Sequence, residues 1–152
     1  MADQTLEPLT MDIDLSGAEI GFPVFPAGAV RARIKSVGLK DSKKGGQNIA
    51  VVFTSEQELT TLGGVTRPPG VPFTMYIPNQ KSKKSPDWDW EKNRRDRLAE
   101  VMAAAQGVKA LAPNSTFQTD AVIGKEVVIR LGLDDSDGTQ SNSIKGVLPL
   151  PS

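Results

Sequence analysis

Residues 30–35 carry the clearest pattern in the chain. Val30, Ala32 and Ile34 fall on one side of an extended backbone and Arg31, Arg33 and Lys35 on the other. That period of two predicts a strand with one buried face. Residues 40–47, KDSKKGGQ, read as a turn, and NIAVVFT at 48–54 is apolar almost throughout, as in a more central strand. Residues 59–70 hold Gly63-Gly64 and Pro68-Pro69-Gly70 and are expected to form a loop. In VPFTMYI, Phe73, Met75 and Ile77 alternate with Thr74 and Tyr76, giving a third strand. Leu98, Val101, Met102 and Ala105 change the period to that of a helix. That helix is expected over 86–106, with Ser85 as N-cap, Pro86 in its first turn and Gly107 as its stop. EVVIRLGL at 126–133 predicts a fourth strand, DDSDGTQSNS a hairpin turn at Asp137-Gly138, and SIKGVLPL a last strand.

The element order β-β-β-α-β-β is that of an OB-fold, a five-stranded barrel with a helix between its third and fourth strands. The expected architecture is therefore mainly β with one helix, an OB-like barrel over 26–152. A β-sandwich with one added helix is the alternative. Residues 1–25 show no sustained period and end in the proline-set loop GFPVFPAG, so they are expected to form an acidic arm.

Composition removes several function classes. The 152-residue chain has no Cys and no His. Disulfides and thiolate chemistry are excluded, a zinc site is not expected, and the commonest general base is missing. No pair of carboxylates stands in a recognisable catalytic context, so neither an enzyme nor a cofactor is expected. An EF-hand register on Gly138 would put Leu133 and Ile144 at ligand positions, which rules it out. Lys43-Lys44-Gly45-Gly46 has its lysines on the wrong side of the glycines for a phosphate loop. The first seventeen residues have neither a basic head nor an apolar core, so no secretory signal is expected, and no apolar run reaches membrane-spanning length.

The net charge is zero, but the charges are segregated. Asp3, Glu7, Asp12, Asp14 and Glu19 have no base among residues 1–20. Arg31, Arg33, Lys35, Lys40, Lys43 and Lys44 face a single acid, Asp41, in 31–44. Lys81, Lys83, Lys84, Lys92, Arg94, Arg95 and Arg97 stand against four acids in 79–97. A neutral total can thus hide a basic face. On a strand, Arg31, Arg33 and Lys35 would repeat about every 6.6 Å, a spacing able to follow an extended phosphate backbone. Two positions on a helix differ by about 200°, so Trp88 and Trp90 cannot both face the core. Trp90 is expected to be buried and Trp88 exposed beside Lys81, Lys83 and Lys84. Aromatic rings among cations are how non-specific single-strand binders hold bases and phosphates.

Four stretches, in this order, resemble a phage-encoded family of single-stranded DNA-binding-like proteins: PAGAVRARIKSVGLKDSKKGG, VPFTMYI, RDRLAEVMAAAQG, and GKEVVIRL followed by NSIKGVLP. The resemblance spans roughly residues 26–150. It implies an OB-like fold and non-sequence-specific binding of single-stranded DNA in phage replication or recombination, without catalysis. The expected setting is the cytoplasm of an infected bacterium, or the virion on the alternative reading below, with replication or recombination proteins as further partners, a homo-oligomer and no membrane. The expected contacts are Arg31, Arg33, Lys35, Lys43, Lys44, Lys81, Lys83, Lys84, Arg94 and Arg95 for phosphates, with Tyr76 or Trp88 for bases. The chain departs from that type in ending GVLPLPS rather than in an acidic tail, and in placing Asp134, Asp135 and Asp137 in the last loop, where they should repel phosphate. The acidic arm is expected to compete for the basic face or to dock a partner. A virion structural protein, a capsid decoration or tail component, is the alternative function.

Overall fold

The computed structural model describes residues 12–13, 23–41, 46–81, 86–136 and 138–151. Five strands form one antiparallel sheet: β1 (Gly28–Asp41), β2 (Gln47–Ser55), β5 (Pro72–Pro78), β6 (Glu126–Ser136) and β7 (Thr139–Leu148), in the order β5-β2-β1-β6-β7. Two further strands, β3 (Leu59–Thr60) and β4 (Thr66–Arg67), make a small separate ribbon where a plain loop was expected. A helix α1 (Trp90–Gln106) and a one-turn helix α2 (Thr119–Val122) lie between β5 and β6. The expectation of a single helix missed α2, which is too short to show a period.

The protein is mainly β, as the alternation implies, but the expected closed barrel is not formed. No ladder joins the edge strands β5 and β7. Between them runs a groove of about 880 Å³, lined by Phe25, Phe73 and Asn142 among others. Nor do the described residues form the two facing sheets of a sandwich, since the only other sheet among them is the β3–β4 ribbon.

β1 pairs on both sides. Gly28–Arg33 lie against β6 and Ala32–Asp41 against β2, so Ala32 and Arg33 have a strand on each side. Val30, Ala32 and Ile34 face inward as expected, with Val51, Phe53, Phe73, Met75, Ile77, Val127, Ile129 and Leu131. Between Ile34 and Ser36 the register with β2 slips, leaving Lys35 as an extra residue. Beyond that β-bulge the phase reverses. Val37 now packs against the core, while Ser36, Gly38 and Lys40 point outward.

Helix α1 covers the core with Val101, Met102 and Ala104, supported by Leu98 and Ala105, so the expected stripe holds. Its start is corrected. The N-cap is Asp89, whose carboxylate accepts from the Lys92 N–H at 3.0 Å; Ser85 lies outside the described residues. Its end is the expected Gly107, at φ 74°. There the Gly107 N–H reaches Ala104 O and the Val108 N–H reaches Ala103 O, a Schellman closure that needs a left-handed residue.

Phe25 is buried beside the open seam and meets Phe73 edge to face at 5.6 Å between ring centroids. Its main chain is held by one side chain. The Phe25 N–H donates to Asn142 Oδ1 at 2.7 Å, and Asn142 Nδ2 donates to Phe25 O at 2.8 Å and to Gly132 O at 3.1 Å. The carboxamide thus stands in for a neighbouring strand. Removing it strands these half-buried main-chain groups, so Asn142→Ala should lower stability by about 1–3 kcal/mol. Urea unfolding should show a lower midpoint at an unchanged slope; a midpoint equal to that of the parent protein would contradict this role.

Candidate nucleic-acid interface

Residues paired directly across strands share a face, so the registers define the outer surface of the sheet. Three rows cross β1, β2 and β5 there: Ser36, Val52 and Thr74; then Gly38, Ala50 and Tyr76; then Lys40, Asn48 and Pro78. None carries an acid. Tyr76 is 53% exposed, and the Lys40 ammonium lies 5.6 Å from its ring centroid. Gly38 and Ala50 beside the ring are too small to obstruct a planar group laid on it. Lys35, on the bulge, is exposed and makes no ion pair with another described residue.

The neighbouring part of the face differs. Arg31 and Arg33 do project outward from β1, but both are bound within the protein. Arg31 Nη2 lies 3.1 Å from Glu126 Oε2, and Arg33 Nη2 lies 2.8 Å from Glu126 Oε1. Arg33 also reaches Glu56 through Nε and donates to Gly124 O at 2.6 Å through Nη1. The three cations expected to form one even row are therefore not equivalent. The bulge takes Lys35 out of the alternation, and the two arginines tie β1 to β6 and to the residue just beyond β2. A phosphate would have to compete with two carboxylates for them.

A second group of side chains lies where β5 leaves the sheet. Asn79 closes the β2–β5 ladder, its N–H donating to Gln47 O at 2.9 Å and its Nδ2 to Gln47 Oε1 at 2.8 Å. Its Oδ1 accepts from Arg94 Nη1 at 2.8 Å, and the Arg94 guanidinium sits 4.8 Å from the Trp90 ring centroid. Trp90 is thus half-buried beneath a cation rather than enclosed in the core as expected. Trp88 is 42% exposed, in line with its expected place outside the core. Lys81 is exposed at the end of the same connection. Lys43, Lys44, Lys83 and Lys84 lie outside the described residues.

The other cations of α1 are engaged along the helix. Lys92 meets Asp96 at 2.6 Å, Arg95 meets Asp96 at 3.9 Å, and Arg97 meets Glu100 at 3.5 Å. The hydrogen bond from Lys92 holds the Asp96 carboxyl below the usual carboxylate range. In the last hairpin, the neighbouring Ser143 hydroxyl and then the Lys145 ammonium, at 3.0 Å, lower Asp134 in the same way. Asp134 and Asp135 lie on β6, paired with Ser141 and Gln140 of β7, rather than in the last loop as expected, and Asp134 is partly neutralised there. Among the described residues no three His, Cys, Asp or Glu side chains converge as a metal-binding group, and no helix is long and apolar enough to cross a membrane.

Lys40, Trp90 and Asn79 were not among the sequence-based contact residues. Lys40 had a signal: Val37 and Leu39 resume alternation out of phase with Ile34, which marks a bulge. Trp90 had one too, since it stands four residues before Arg94 on the helix; Asn79 had none, because its role comes from a contact between the end of β5 and α1.

A scan against protein-family models returns no match to this chain, and no curated protein matches its sequence.

Exposed ion pairs of this kind contribute about 0–1 kcal/mol each. Glu126→Gln should therefore leave the fold intact with a loss of about 1 kcal/mol, read as a small downward shift in a thermal melt. A loss several times larger would show that the Arg31–Glu126–Arg33 cluster holds β1 to β6 rather than decorating the joint.

Proposed function

We propose that this protein binds single-stranded DNA without sequence preference, through the outer face of β1, β2 and β5, and that it performs no catalysis. The observation that carries the reading is the acid-free surface of small side chains around Tyr76, bordered by Lys35 and Lys40. Every base has a flat face that a tyrosine ring can stack on, and a lysine beside the ring can take the adjoining phosphate. The strand order supports an opened OB-type sheet: its five strands follow one another as in an OB barrel, with the last seam left unpaired and α1 between the third and fourth strands. In such folds the face of the second and third strands binds oligonucleotides, and β2 and β5 hold those positions here. The resemblance to phage single-stranded DNA-binding-like proteins supports the same reading, with a role in DNA replication or recombination inside an infected bacterium.

A second reading, a virion structural component, is favoured by one observation. A groove of about 570 Å³ between the end of α1 and the end of β7 is lined by Val108, Val147 and Leu148, and Val108, Leu148 and nearby Leu150 are exposed. Apolar surfaces of that kind commonly meet another protein.

Titration with labelled oligo(dT) over a range of salt decides between the two. On the DNA reading, log K falls linearly with log salt at about −0.7 per phosphate neutralised on a single strand. Tyr76→Ala should weaken binding by about 1–3 kcal/mol while largely sparing the salt slope, because stacking releases no counterions. Absence of binding at low salt, with concentration-dependent assembly in gel filtration, would transfer the conclusion to the virion reading.

A further inference from the structure

Arg94 differs from the other cations of its helix. Lys92, Arg95 and Arg97 each have a carboxylate on α1 itself, whereas no carboxylate among the described residues pairs with Arg94. It is half-buried, lies against Trp90, and donates through Nη1 to the neutral amide of Asn79. That amide cannot turn freely, because its Nδ2 is bound to Gln47 Oε1. A guanidinium has five N–H donors in a planar fork. Here a single one bonds to a described residue. Half-buried charge is normally balanced by a partner; this one is oriented on two sides by groups that leave its charge uncompensated.

We infer that Arg94 is a phosphodiester-binding residue and that Asn79 is its positioning residue. The inference rests on the single-stranded DNA reading and extends it to the sheet's edge. Tyr76 and Asn79 are three residues apart on one extended segment, roughly 10 Å at about 3.3 Å per residue, and the odd spacing turns their side chains to opposite sides of it. A strand with a base stacked on Tyr76 therefore reaches Arg94 by passing around the sheet's edge beyond the end of β5, where a later phosphate meets the guanidinium. The fork offers its remaining N–H groups to two phosphate oxygens, a geometry a lysine cannot supply. Stacking on the indole fixes the guanidinium plane before the ligand arrives, which reduces the ordering needed on binding.

The test compares oligo(dT) affinity against salt for the full chain and four variants. Arg94→Gln removes the charge, and the slope should become shallower by about 0.7, one phosphate contact. Asn79→Asp puts a carboxylate where the amide stood, pairs Arg94 internally, and should produce a similar loss without deleting any cation. Arg94→Lys keeps a charge without the fork, so it should retain most of the slope at lower affinity. Lys92→Gln, on the same helix but already paired with Asp96, should leave the slope unchanged. Circular dichroism checks that each variant folds, and Asn79→Asp decides the matter if Arg94→Gln does not. If the parent protein binds and both Arg94→Gln and Asn79→Asp keep its slope, the Arg94 assignment is overturned and the wider reading stands. If the parent does not bind oligo(dT), the wider reading falls. Tryptophan emission during titration with pyrophosphate then tests the site alone: a change that Arg94→Gln abolishes supports an anion site, and no change overturns it.

Discussion

The sheet depends on β1 being paired along both edges. One half of the strand is held by β6 and the other by β2, with Ala32 and Arg33 shared. The extra residue at Lys35 bends the strand and increases its twist beyond the shared segment. The character of the outer surface changes at that slip. Before it, the outward positions carry Arg31 and Arg33, and the neighbouring elements bring Glu56 and Glu126 to meet them. After it, the outward positions carry Ser36, Gly38 and Lys40, and acids are absent from their rows.

Much of the fold was legible in the chain. β1, β5 and β6 announce themselves by period two, β2 by a nearly continuous apolar run, and α1 by the spacing of Leu98, Val101, Met102 and Ala105. Gly107 marks the helix end because few other residues tolerate that backbone conformation. What the pattern could not give was closure. Whether β5 and β7 meet depends on the summed coiling of five strands, and no residue encodes that sum. The β3–β4 ribbon and α2 were hidden because two- to four-residue elements have no measurable period.

The candidate site was legible in kind but not in arrangement. Cations and aromatics were visible in the right segments, yet sequence treats every arginine on β1 or α1 as equivalent. Partners separate them: Arg33 lies between Glu56, Glu126 and Gly124 O, whereas Arg94 lies between an indole and an amide. Glu56, Glu126, Gly124 and Asn79 are distant in sequence from the arginines they hold, so that part of the distinction is a property of the tertiary structure, whereas Trp90 stands one helical turn from Arg94.

The reach of the β1–β6 joint also shapes how the molecule must assemble. The contact between Arg31 and Glu126 spans 95 positions along the chain, whereas β1–β2 and β6–β7 are hairpins closed by short turns. Short loops close at lower entropic cost than long ones, and non-local pairings form more slowly. The two hairpins can therefore form early and separately, leaving the joint between them as the late step. As the polypeptide leaves the ribosome, β1, β2 and β5 are complete before Glu126 exists. For that interval Arg31 and Arg33 lack the Glu126 carboxylate that later occupies them, and the surface on the nascent chain is more basic than that of the finished protein.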